Sequence, residues 1–129
     1  MSTRTVYVSL QGTGNSTNLR LRDSEGDDGI NDITTNVDPN DVVQWVVDST
    51  PPSGATAIYS IQNVYKKQNN DPLNVSLLTA DPTNIGNDVW QGTVVSTSPG
   101  TGSRERYNID YKRTATDSTQ TDDPKLQMN

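Results

Sequence analysis

The feature that most constrains this chain is a series of short runs in which apolar and polar residues alternate. TVYVSL at residues 5–10 and NLRLR at residues 18–22 are two examples. Alternation with a period of two gives a β-strand one apolar face. Short segments rich in Gly, Asn, Asp and Pro separate the runs, and no segment sustains the period of about 3.6 residues that a helix needs. The chain is therefore expected to be all-β.

The number and spacing of the runs predict how the strands are arranged. Eight or nine runs are present, among them LNVSLL at residues 73–78. Short loops join antiparallel neighbours, whereas a parallel pair needs a crossover of about a dozen residues or more. We therefore predict a single antiparallel Greek-key β-sandwich. The run at residues 57–67 loses its alternation near residues 60–63, which predicts a bulge.

Length and composition predict one domain, covering residues 1–129. Within it, the segment TATDSTQTDD at residues 114–123 is expected to be a polar hinge before a short C-terminal strand at 124–128. Large aliphatic residues are scarce and Phe is absent, so the core is expected to be small. A subunit that buries little apolar area alone gains stability by assembling with others.

Two residue types are missing, and their absence removes several kinds of chemistry. The chain has no Cys and no His. Disulfides, thiolate nucleophiles, Ser-His-Asp triads and zinc sites of the usual kinds are thereby excluded. Carboxylates remain, and Glu105 is expected to be ionised and paired with its neighbours Arg104 and Arg106. We predict that the protein is not an enzyme.

The charge and hydropathy of the chain restrict its partners. A net charge of −6 opposes binding to nucleic acid or anionic membranes. No apolar stretch approaches the roughly 20 residues that a membrane-spanning helix needs, and the N-terminal segment has no hydrophobic signal core. The abundance of Thr, Asn and Asp favours an extracellular or cell-surface location. Carbohydrate is a candidate partner only if the chain is a calcium-dependent binding module.

The stretch DSEGDDGIND at residues 23–32 is the candidate metal site. An EF-hand loop has oxygen ligands at positions 1, 3 and 5, Gly at position 6 and Glu at position 12. Here the first three positions match, but Asp stands at position 6 and Thr at position 12, which excludes an EF-hand. An irregular calcium site remains as one interpretation and a charged turn as the other. The candidate calcium ligands are Asp23, Glu25, Asp27 and Asp28.

The terminal strands are the candidate interface. Leu126 and Met128 form the apolar pair of the last run, and Val6 and Val8 lie in the first. A strand attached through a polar hinge can complete its own sandwich, or it can pair with the sheet of a second copy. The sequence is consistent with both the closed sandwich and the exchanged strand.

Two segments resemble known sandwich proteins. DPNDVVQWVVD at residues 38–48 resembles the segment of immunoglobulin-like and cupredoxin-like sandwiches in which a turn leads into a central strand with a buried Trp, here Trp45. Residues 107–129 are similar to the closing hairpin of small bacterial β-sandwich proteins. The resemblance implies an immunoglobulin-like or cupredoxin-like fold. It implies no copper site, because the His and Cys ligands of blue-copper proteins are missing.

Together these patterns predict a non-enzymatic structural or adhesive protein that assembles with copies of itself, as a subunit of a surface, extracellular or capsid-like assembly. Such a subunit needs no cofactor. The alternative is a calcium-dependent module that binds carbohydrate or protein through the acidic loop at residues 23–32, with Trp90 as a candidate sugar-stacking residue.

Overall fold

The computed structural model describes residues 2–13, 15–67 and 72–129. Within these residues the chain forms strands and turns and no helix, which confirms the all-β class. No helix that could span a membrane is present in this part of the chain. The strands are β1 (Thr3–Gln11), β2 (Leu19–Asp23), β3 (Asp28–Ile30), β4 (Thr34–Val37), β5 (Val42–Val47), β6 (Ala55–Thr56), β7 (Ser60–Lys66), β8 (Thr83–Gly86), β9 (Val89–Thr93), β10 (Arg104–Lys112), β11 (Gln120–Asp122) and β12 (Lys125–Met128).

The strand count is higher than the eight or nine that the sequence predicts, because four short strands form in segments that the sequence predicts as turns, loops or hinge. β3, β6, β8 and β11 have between two and four residues each. The run 73–78, predicted as a strand, forms only isolated bridges, from Asn74 to Arg104 and from Leu78 to Val94. The prediction of a strand there was wrong. Leu77 and Leu78 are buried while Leu73 is exposed, and the backbone N–H groups of Leu77 and Leu78 bind a side chain instead of a neighbouring strand.

The strands form two mixed sheets. The first has seven strands in the order β3-β2-β1-β5-β9-β8, with β6 also paired to β1, and the second has five in the order β11-β10-β12-β4, with β7 paired to β10. Two pairs are parallel, β1 with β5 and β4 with β12. The predicted antiparallel pairing is therefore confirmed only in part: the other strand pairs are antiparallel, and these two are not. Short loops favour antiparallel pairing only between strands that follow one another in sequence. In each parallel pair, several other strands lie between the two partners in sequence.

The predicted irregularity in the run 57–67 is confirmed as a β-bulge in β7. Asp110 lies opposite Asn63 and Tyr111 lies opposite Ile61, so Gln62 is an extra residue without a partner on β10. Both Gln62 and Asn63 are exposed. The extra residue restores the buried face of β7, on which Ile61 and Val64 point into the core.

The buried faces of the two sheets share one hydrophobic core. Trp45 of β5 and Tyr107 of β10 meet at the centre, with ring centroids 5.2 Å apart in an edge-to-face arrangement. Both side chains are fully buried, and β5 lies in the interior of its sheet, as the sequence predicts for a strand with apolar residues on both faces. Leu, Val and Ile side chains from β1, β2, β4, β7, β10 and β12 surround the pair.

One outer edge of the second sheet is covered by side chains instead of another strand. The backbone N–H of Lys66 in β7 donates to Asp81 Oδ1 at 2.9 Å, and the N–H of Ile61 donates to Asp88 Oδ2 at 3.2 Å. Asp88 lies in the tight turn between β8 and β9, where it and Asn87 both have positive φ. The carboxylates satisfy edge groups that would otherwise be open to pairing with another chain.

Candidate functional site

The acidic loop is organised by Asp23, the last residue of β2. Its Oδ1 accepts hydrogen bonds from the backbone N–H groups of Glu25 and Asp27, both at 3.0 Å. Its Oδ2 accepts the hydroxyl of Thr35 on β4 at 2.8 Å. Gly26 completes the turn with a φ of 93°, a conformation that costs glycine little. Asp23 is buried, and its bond to Thr35 joins the loop to the second sheet.

Three of the four candidate calcium ligands lie together. One carboxylate oxygen from each of Asp23, Glu25 and Asp27 lies within 4.8 Å of the others. Burial, a side-chain hydrogen bond to Asp23 and the nearby charges raise the pKa of Asp27 to about 6. Asp28 points elsewhere and binds Arg20 through both oxygens, at 2.6 and 2.8 Å. The guanidinium holds the pKa of Asp28 below its usual value.

Arg4 supplies a positive charge beside Glu25 of this loop. Its Nη1 lies 3.1 Å from Glu25 Oε2, its Nη2 lies 3.0 Å from Asp38 Oδ2, and its Nε lies 2.9 Å from Asp41 Oδ2. One guanidinium therefore connects the acidic loop to the turn before β5. No sequence signal pointed to this contact, because Arg4 lies far from all three carboxylates along the chain.

The candidate interface residues are all fully buried within their own chain. Val6 and Val8 lie in β1, between β2 and β5, and Leu126 and Met128 lie in β12, between β10 and β4. β12 makes antiparallel pairs with β10 at Arg104–Arg106 and parallel pairs with β4 along its whole length. The last strand thus fills an interior position of the second sheet.

The predicted hinge has structure of its own. Residues 120–122 form β11, which pairs with β10. Before it, Arg113 binds Asp117 through both carboxylate oxygens, at 2.7 and 2.8 Å, and donates to the backbone oxygen of Ser16 at 2.9 Å. Residues 114–119 contain no strand.

Glu105 does not pair with the arginines beside it, and that prediction was wrong. In a strand, successive side chains point to opposite faces, so Glu105 points inward while Arg104 and Arg106 point outward. It is 2 % exposed, and its Oε1 accepts the N–H groups of Leu77 and Leu78 at 2.7 and 2.8 Å.

The charge partner of Glu105 is Lys66, whose Nζ lies 3.7 Å from its Oε2. Lys66 also donates to the carbonyl oxygen of Leu78 at 2.8 Å. The carboxylate and the ammonium thus hold the segment 74–78 against β10 and β7.

Trp90, the candidate sugar-stacking residue, is half-buried and packs against the core. It lies opposite Trp45 in the register of β5 and β9. Its indole Nε1 is buried and has no hydrogen-bond partner among the described residues. The environment of Trp90 is therefore that of a residue at the edge of the core.

The structure brings together cations that are scattered in the sequence. Lys66, Lys67, Arg104, Arg106 and Lys125 border two adjoining concavities at one end of β10. The alternation of Arg104 and Arg106 about Glu105 predicts that both arginines share a face. The proximity of Lys125 depends on the pairing of β12 with β10, which local sequence does not reveal.

Comparison with known proteins does not assign the chain to a family. No protein-family model matches it, and no curated protein sequence matches it.

Proposed function

We propose that this chain is a non-enzymatic structural protein that assembles with copies of itself through exchange of β12. What supports the proposal is the position of β12. It is the last strand of the chain, yet it lies between β10 and β4 and contributes two fully buried side chains to the core. An interior position that a terminal strand fills can equally be filled by the same strand of a neighbouring copy.

Exchange preserves the contacts that hold β12. The backbone hydrogen bonds to β10 and β4 and the burial of Leu126 and Met128 are the same whether the strand belongs to the chain itself or to its neighbour. The free-energy difference between the two arrangements then lies in the connecting segment. Residues 114–119 contain no strand and are mostly polar, so the contact that a more extended path would break is the ion pair of Asp117 with Arg113.

The fold type, the location and the form of the assembly are inferred from the sequence. We infer a two-sheet sandwich with Greek-key connections, of immunoglobulin-like or cupredoxin-like type, in one domain. A homo-oligomer or filament at a bacterial cell surface or in another extracellular assembly suits the acidic, Asp- and Thr-rich composition.

A pair of introduced cysteines tests strand exchange directly. Arg104 and Gln127 lie opposite one another on β10 and β12, with Arg104 Nε 2.6 Å from Gln127 Oε1. The chain has no cysteine of its own. In the doubly substituted R104C/Q127C protein, exchange joins different copies, and we expect a ladder of disulfide-linked dimers and larger species on non-reducing gel electrophoresis.

The matched control is Q44C/Q91C. Gln44 and Gln91 lie opposite one another on β5 and β9, their side chains are joined at 2.8 Å, and neither strand is terminal. This control is expected to give only monomers with an internal disulfide. If R104C/Q127C also gives only internally linked monomers at high protein concentration, and the unsubstituted protein elutes as a 14.1 kDa monomer, the exchange proposal is overturned.

Calcium-dependent binding of carbohydrate or protein is the second candidate function. The observation that favours it is the approach of the Asp23, Glu25 and Asp27 carboxylates, together with the raised pKa of Asp27. A divalent cation would relieve the repulsion between these groups. It would also have to compete with Arg4 for Glu25 and with the Thr35 hydroxyl and backbone N–H groups for Asp23.

Thermal melting with millimolar calcium and then with a chelator tests this candidate. Calcium binding to the native state raises the melting temperature at pH 7.5. The gain should shrink at pH 5, because Asp27 is then protonated and a protonated carboxyl is a poor ligand. D27N should remove the gain and D28N should keep it, since Asp28 binds Arg20. An unchanged melting temperature at pH 7.5 would exclude the calcium function.

A further inference from the structure

Half of the basic residues of this acidic chain are gathered at one place on its surface. The sequence has ten Lys and Arg residues and a net charge of −6. Five of the ten border the two adjoining concavities at the N-terminal end of β10, namely Lys66, Lys67, Arg104, Arg106 and Lys125. The concavity bordered by Lys66 and Lys67 also has the carboxylates of Asp81 and Glu105 in its wall, so its charges are mixed. In the other, the charged side chains among the described residues are all cationic. A concave surface lined by one sign of charge raises the local concentration of ions of the opposite sign.

The strand register defines one concavity of this group more closely. Arg104 and Arg106 occupy alternate positions on the outer face of β10, and Lys125 of β12 lies directly opposite Arg106. With Leu73 and Asn74 they line a cavity of about 210 Å³. Among the lining side chains that the structure describes, three are cationic and none is a carboxylate.

The cations in this cavity differ in how far their charge is already neutralised. Lys125 Nζ lies 2.6 Å from Asp32 Oδ2, and Arg106 Nη1 lies 3.9 Å from Asp123 Oδ2. Arg104 donates its Nε to the neutral amide of Gln127, and it has no carboxylate partner within the described residues. Its two terminal nitrogens are therefore available to a ligand.

The side chain of Asn74 fixes the wall of the cavity. Its Oδ1 accepts the backbone N–H of Arg106 at 2.7 Å, and the N–H of Val75 donates to the carbonyl oxygen of Arg104 at 2.8 Å. These bonds hold the backbone of both arginines in place without using a guanidinium donor. The cationic groups are thus presented on a rigid strand.

From this geometry we propose that the cavity formed by Arg104, Arg106 and Lys125 binds a small oxyanion, such as a phosphate or sulfate group. A guanidinium offers parallel N–H donors that match two oxygens of such a group. The cavity is smaller than the roughly 300 Å³ at which pockets for drug-sized ligands begin, so it suits a group of a few heavy atoms. The overall negative charge disfavours a nucleic-acid backbone as the source.

Titration of the ¹⁵N-labelled protein with inorganic phosphate, and separately with sulfate, tests the site. Sodium chloride keeps the ionic strength constant, so that general screening does not contribute. We expect saturable shifts of the amide resonances of Arg104, Arg106 and Lys125. R104Q should weaken binding about tenfold or more, because a charge-assisted pair of hydrogen bonds is lost.

K112Q is the matched control. Lys112 ends the same strand and, by the alternation of side chains along it, lies on the same face as Arg104 and Arg106. The substitution removes one positive charge from a position outside the cavity, and binding should be retained. Absence of saturable shifts, or equal weakening by K112Q and R104Q, would overturn the proposal. The result is independent of self-assembly, which the cysteine pairs measure.

Discussion

Replacement of Glu105 by alanine is expected to lower the free energy of unfolding by about 3 kcal/mol, since two buried N–H donors lose their acceptor. Glu105 Oε1 accepts both the Leu77 and the Leu78 N–H groups, and Leu77 and Leu78 are themselves fully buried. The ammonium of Lys66 also loses the charge that lies 3.7 Å away.

The comparison of E105A with E105Q separates these contributions. Glutamine keeps a carbonyl oxygen of the same reach, so E105Q should retain the two hydrogen bonds and lose only the attraction to Lys66. We expect E105A to lower the melting temperature by about 10 °C, and E105Q to lower it by less than half as much. Circular dichroism melts measure both. Equal losses in the two variants would show that the hydrogen bonds to the segment 74–78 are not the source of the stability.

Truncation of Trp45 to alanine is expected to destabilise the protein by about 4 kcal/mol, since it opens a cavity where the two sheets meet. The Trp45 side chain is fully buried and lies edge-to-face against Tyr107. A Cβ atom added at Gly92 would lie 3.6 Å from the Trp45 ring.

W45F should cost less than half as much as W45A. Phenylalanine fills most of the volume, and it removes an indole Nε1 that is buried without a hydrogen-bond partner among the described residues. Urea denaturation followed by circular dichroism gives both free energies. A W45F variant as unstable as W45A would mean that the shape of the indole, and not the filled volume, holds the two sheets together.

The sequence predicts the strands far better than their partners. Alternation is a local property, so it reveals β1, β2 and β10 and the bulge in β7. Pairing is not local. The parallel contacts of β1 with β5 and of β4 with β12 depend on how the whole chain closes, and no short segment carries that information.

The positions of the site residues were likewise predictable only where the residues lie close together in sequence. The grouping of Asp23, Glu25 and Asp27 was predictable, because all three lie in one short loop. The departure of Asp28 was not, since it results from Arg20 on the paired strand β2. The inward position of Glu105 could have been inferred from its apolar-face neighbours Tyr107 and Ile109, which share its parity along β10.

The carboxylates that cover the edge of β7 act only in the finished fold. Asp81 and Asp88 reach the N–H groups of Lys66 and Ile61 from turns that lie far along the chain and must dock first. Until those turns dock, the same edge is an open template for pairing with another molecule. Mispairing at the β7 edge is therefore a hazard of folding intermediates, and we expect refolding at low protein concentration to reduce it.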